Sequence, residues 1–160
     1  MAKKWILNSL VVIVVILITL IGFFGVKEYQ KEKQAPNKLV ITRAESKINP
    51  LPVLKQTITD EKKVKQLYYE IDRLPNIQKG STRYCPLGAP VAYILTFYKD
   101  NELKLSALLN LSGCPIVQIN TIEIKDALYP SGKEFITHIQ QTLGLSNGDF
   151  YGYQNGKPLR

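Results

Sequence analysis

The residues of this 160-residue chain whose types could do chemistry are few: two cysteines, one histidine, and scattered acids and tyrosines. Cys85 stands in Tyr84-Cys85-Pro86 and Cys114 in Gly113-Cys114-Pro115, each at a strand end beside a proline turn. Their separation of 29 excludes a Cys-x-x-Cys redox site and makes no zinc knuckle by itself. A zinc site would need further ligands, and His138 is the only histidine. A structural disulfide between Cys85 and Cys114 is the reading that remains. Loop entropy alone would make it worth about 3.5 kcal/mol.

His138 falls at the margin of an apolar stripe. A catalytic role would demand a nucleophile and an orienting acid close by in space. The chain has no Gly-x-Ser-x-Gly, His-Glu-x-x-His or Ser-x-x-Lys motif and no phosphate-binding glycine loop. Gly152 to Lys157 has the wrong spacing for a P-loop and runs into Pro158. Asp60 and Glu61 read as helix-start charges, and Asp100 and Glu102 as turn residues. No catalytic residue, metal ligand or cofactor site is therefore assigned. Tyrosine offers apolar area with a polar tip. Tyr68 and Tyr93 fall on core-facing positions. Tyr69 and Tyr98 fall on the opposite faces and are the candidates for a contact surface.

Two kinds of segment must position these residues. Trp5 to Val26 is a run of 22 residues without a charge, 17 of them apolar. As a helix it would reach about 33 Å, enough for a hydrocarbon core of about 30 Å. Trp5 at one end and Phe23 and Phe24 at the other suit the two interfaces. No A-x-A-like pattern and no cysteine directly follows the run, so residues 5–26 read as an uncleaved anchor through the lipid bilayer. Residues 1–4 would then be cytoplasmic. The lysines split on orientation. Lys27, Lys31, Lys33 and Lys38 outnumber Lys3 and Lys4, which by itself places the C-terminal side inside. The two-lysine start and the cysteine pair favour the opposite topology, with the C-terminal domain outside the membrane in an oxidising compartment.

Residues 27–38 read as a solvated juxtamembrane spacer, its positive run broken by Glu28 and Glu32. From residue 39 the pattern is that of a small domain, ending near 145. Leu39 to Thr42 and Val53 to Thr59 are strand-like. Thr59 is a suitable N-cap for a helix whose apolar face is Val64, Leu67, Tyr68, Ile71 and Leu74, closed by Pro75. Arg83 to Cys85 is a short strand. Val91 to Tyr98 puts Tyr93, Leu95 and Phe97 on one face. Leu103 to Leu111 puts Leu103, Leu105, Ala107, Leu109 and Leu111 on one face, and Asp100-Asn101 joins the two as a hairpin. Ile116 to Ile119 and Ile122 to Ile124 continue the β pattern. Ser131 with Glu134 reads as a capping box before a second helix with the stripe Phe135, Ile136, Ile139 and Leu143, stopped by Gly144. Residues 146–160 form a glycine- and aromatic-rich segment of partial order. The fold class is α+β: a single N-terminal transmembrane helix, then a small antiparallel sheet with two helices on one face.

Charge excludes one more class. Residues 27–160 carry 19 Lys/Arg against 13 Asp/Glu, a diffuse excess with no Arg-rich stripe or aromatic RNA motif, so nucleic acid is not an expected partner. An exported basic domain would instead be drawn to anionic membrane or wall surfaces.

Tyr84-Cys85-Pro86, Gly88, Tyr93-x-Leu95-x-Phe97 and Gly113-Cys114-Pro115 resemble a loose class of small exported or membrane-anchored Gram-positive bacterial proteins with a cysteine pair. The resemblance covers about Arg83 to Ile119 and implies an exported disulfide domain without implying an activity. The expectation is a single-pass cell-membrane protein whose extracytoplasmic domain binds or interacts without catalysis. The alternative is an accessory subunit whose anchor packs on another membrane or envelope protein. Asn8 and Thr19, about 20° apart on a helical wheel, would give that anchor a polar face. A small envelope hydrolase is disfavoured by the missing nucleophile motifs.

Overall fold

A computed structural model describes residues 19, 32–44, 51–77, 85, 91–128, 130–154 and 157–158. The chain divides after Ala35 into two units, and every element named below belongs to the second, Pro36–Arg160. The expected anchor at 5–26 lies outside the described residues apart from Thr19. Among the described residues no helix is long and apolar enough to cross a membrane.

Strict alternation builds the sheet. In β1 (Lys38–Arg43), Leu39, Ile41 and Arg43 turn inward. In β3 (Ala92–Lys99), Tyr93, Leu95 and Phe97 do the same. β2 (Lys55–Ile58) pairs with β1, which pairs with β3. β4 (Glu102–Asn110), β5 (Ile116–Gln118) and β6 (Ile124–Asp126) follow, giving a six-stranded sheet in the order β2-β1-β3-β4-β5-β6. Every pairing is antiparallel. Asp100 and Asn101 take φ values of 51° and 70° at the β3–β4 turn, the left-handed region that Asn and Asp tolerate best after glycine. Asn37 ties the turn down, donating from Nδ2 to Asp100 Oδ1 at 2.8 Å and accepting from the Asp100 backbone N–H at 3.2 Å.

The inner face is closed by two helices. α1 (Glu61–Arg73) buries Val64, Leu67 and Ile71, and α2 (Pro130–Leu143) buries Phe135, Ile136, Ile139 and Leu143. These join Leu39, Ile41, Tyr93, Leu95, Phe97 and Leu109 in one apolar core. A short third helix, α3 (Asn147–Tyr151), adds Phe150 to it. The expected α+β sheet with helices on one face is thus present, with one helix more. Two-residue strands β7 (Tyr153–Gln154) and β8 (Lys157–Pro158) pair after it. On the far side of the sheet, Val40, Thr96, Tyr98 and Leu108 are half-buried and Ile94 is exposed.

Several boundaries move, each for a local reason. Asp60, not Thr59, caps α1: its carboxylate accepts from the Lys62 and Lys63 backbone N–H groups. α2 opens at Pro130, whose fixed φ suits a first helical residue, so Ser131 and Glu134 lie inside its first turns rather than at its boundary. Ile122 is exposed in a turn, because Asn120 Oδ1 accepts from the backbone N–H groups of Ile122 and Glu123 and so delays β6 to Ile124. Leu103 leaves the core face. The register passes from Phe97–Leu105 to Tyr98–Leu103, so one extra β4 residue bulges and turns Leu103 outward beside Tyr98. Of the expected strand Arg83–Cys85, only Cys85 is among the described residues, and it is not in a strand there.

α2 sits very close to the end of β6. A Cβ at Gly132 would collide with the backbone of Ala127. Gly132→Ala is therefore expected to lower stability by about 1–3 kcal/mol or more, since backbone cannot yield as a side chain can. Chemical denaturation of the full chain checks this.

Candidate functional site

α1 and α2 run side by side, and the seam between them holds the one histidine. The helical period puts Gln66 and Glu70 on adjacent turns of one α1 face. Across the seam, His138 lies on the edge of the α2 stripe between Phe135 and Ile139. His138 Nδ1 donates to Glu70 Oε1 at 2.8 Å. Gln66 Nε2 donates to the same oxygen at 2.9 Å and lies 3.1 Å from Nδ1. The carboxylate, an acceptor only, requires the proton on Nδ1. Nε2 is then the ring nitrogen that no described residue is seen to engage: an acceptor in the neutral imidazole, a donor in the imidazolium.

The acid is held behind the ring. The Glu70 side chain is 19% exposed and His138 36%. Glu70 Oε2 is buried with no hydrogen-bond partner among the described residues. In front lies an open cleft of about 160 Å³ lined by Lys63, Gln66, Leu67, His138, Gln141 and Thr142. The sequence reading placed His138 at a helix margin but missed its acid. Glu70 had no motif to mark it, and only the packing of α1 on α2 brings 70 and 138 together. The arrangement can accept or deliver a proton at Nε2 and can hold a small polar or charged group. Among the described lining residues, Thr142 supplies the only hydroxyl and none supplies a thiol.

A second polar cluster lies inside the fold. Arg43, on the inward face of β1, is buried. Its Nη1 donates to the Pro52 carbonyl at 3.2 Å, and its Nη2 to the Asp149 carbonyl at 2.8 Å and to Tyr93 Oη at 3.3 Å. Tyr93 Oη in turn donates to the Phe150 carbonyl at 2.9 Å. These bonds fasten α3 to the sheet. Burial raises the Tyr93 phenol above its ordinary 10.0, while the hydrogen bond and charge of Arg43 pull it down. Burial raises Tyr151 as well. The unfolded phenols ionise first, so their stabilising contribution is complete below about pH 10 and is lost as pH rises through the folded values. Tyr93→Phe is expected to be less stable at pH 8 but to lose less than the parent between pH 8 and pH 10.5, measured by denaturant titration at both.

Cys85 and Cys114 are joined by a disulfide, with Cα atoms 5.0 Å apart. Cys85 is exposed and Cys114 buried. Tyr69 and Tyr98 are both half-buried and lie on different layers. The Tyr69 ring meets Tyr68, which packs edge-on against Phe97 on the helix side of the sheet. Tyr98 lies on the far side, with Lys38 Nζ 4.9 Å from its ring centre. The two tyrosines therefore do not form one surface. No family model, curated protein or solved structure matches the chain.

Proposed function

We propose that this chain is a single-pass membrane-tethered module whose disulfide-stapled α+β domain lies outside the cell membrane and binds a ligand or partner of the envelope without catalysis. The observation that carries the reading is the Cys85–Cys114 disulfide in a chain that also contains an uncharged apolar run of membrane length. Such bonds persist in oxidising compartments. Residues 5–26 serve as the anchor and residues 27–38 as the spacer.

Binding is favoured over turnover by the seam itself. Its cleft of about 160 Å³ is small beside the roughly 300–1,000 Å³ of typical substrate pockets. His138 and Glu70 supply an oriented base, but a base alone makes no covalent catalyst.

Alkaline carbonate extraction of membranes tests the tether. The full chain is expected to stay in the membrane pellet, and a variant lacking residues 5–26 to appear in the soluble fraction. Release of the full chain by carbonate would overturn the anchor.

A further inference from the structure

The charges of the α1–α2 seam are layered. Glu70 is set behind the imidazole, with one oxygen engaged and the other buried. Lys63 and His138 line the opening, together with the neutral donors Gln141 and Thr142. Lys63 and Glu70 are the charged groups that α1 brings to the cleft, and on the histidine's own helix the lining adds only Gln141 and Thr142. Because Glu70 holds the Nδ1 proton, protonation of the ring adds its proton at Nε2 and turns that nitrogen into a donor.

We infer that this seam binds a phosphate-type oxyanion through Lys63, the His138 ring, Gln141 and Thr142. The proposal rests on the binding reading of the domain and names its ligand class. A lysine is a compact charge with three donors, suited to an anion that accepts from several directions. A planar carboxylate is better matched by an arginine fork, and no arginine lines the cleft among the described residues. The volume admits one small group rather than an extended ligand. The cationic excess of residues 27–160 has the sign that attracts phosphate-bearing surfaces.

The single histidine makes the test direct, because its ring gives one set of NMR signals. The full chain, labelled in histidine and held in dodecyl maltoside micelles, is titrated with inorganic phosphate and, at matched ionic strength, with chloride. The ring signals are expected to shift saturably with phosphate only. Lys63→Gln should weaken binding about tenfold, the loss of one charge-assisted contact, and Lys133→Gln, outside the cleft, should leave it unchanged. Competition by soluble glycerol phosphate diester would support a polymer phosphate as the source. Competition by phosphatidylglycerol nanodiscs alone would support a lipid headgroup. Equal, non-saturating responses to phosphate and chloride, or a Lys63→Gln variant that titrates like the parent, would overturn the oxyanion site. The measurement is made on purified chain, so it stands or falls separately from membrane topology.

Discussion

Phe150→Ala is expected to cost about 3–5 kcal/mol of folding stability and to release the C-terminal segment from the sheet. Phe150 is fully buried, stacks on Tyr93 with ring centres 5.0 Å apart, and meets Tyr151 edge-on at 5.1 Å. Truncation leaves a ring-sized cavity against Tyr93, which cannot move to fill it because its hydroxyl is bonded to the Phe150 carbonyl and to Arg43. It also loosens α3, whose Asp149 carbonyl accepts from the buried Arg43 guanidinium. Losing that acceptor would strand donors that already include Nε, buried without a partner among the described residues. Guanidinium titration of the full chain should show the loss, and hydrogen exchange should rise first across 147–154. Val53→Ala, at an 85% exposed position, should stay within about 0.5 kcal/mol of the parent.

Removing the disulfide has the next largest expected effect. Closing a loop of 29 residues restricts the unfolded chain by about 3.5 kcal/mol of entropy, within the 2–5 kcal/mol typical of native bridges in small exported domains. Such a domain holds only about 5–15 kcal/mol in total. Cys85→Ser with Cys114→Ser is expected to lower the unfolding free energy, read by denaturant titration, by that amount while leaving the sheet formed at low denaturant. The bridge joins Cys85 to the β4–β5 turn at Cys114.

Much of this architecture is legible in the sequence, because alternation and helical period are local. Tyr93, Leu95 and Phe97 announce β3, and Phe135, Ile136, Ile139 and Leu143 announce α2. The alternation Leu39, Ile41, Arg43 even points the arginine inward, though a cation in that pattern reads more readily as a strand end. What escaped was set by partners distant in the chain or by one-residue choices. Leu103 continues the apolar alternation of β4 faultlessly, yet a bulge opposite Phe97–Tyr98 turns it out. Phe150 lies among glycines that suggest an irregular tail, and only the docked Tyr93 and Arg43 give it a place in the core. Glu70 belongs to a helix that carries three lysines and no motif, and it becomes part of a site only because α2 brings His138 to it.

The central claim, an oxidised domain on the outer side of the membrane, is tested most directly on intact cells. Cells are treated with a membrane-impermeant phosphine reductant, then with an impermeant maleimide, and the full chain is weighed by mass spectrometry. The account predicts no label without reductant and two labels, on Cys85 and Cys114, after it. Two cysteines that stay unlabelled until the cells are permeabilised, and then react without any reductant, would contradict it.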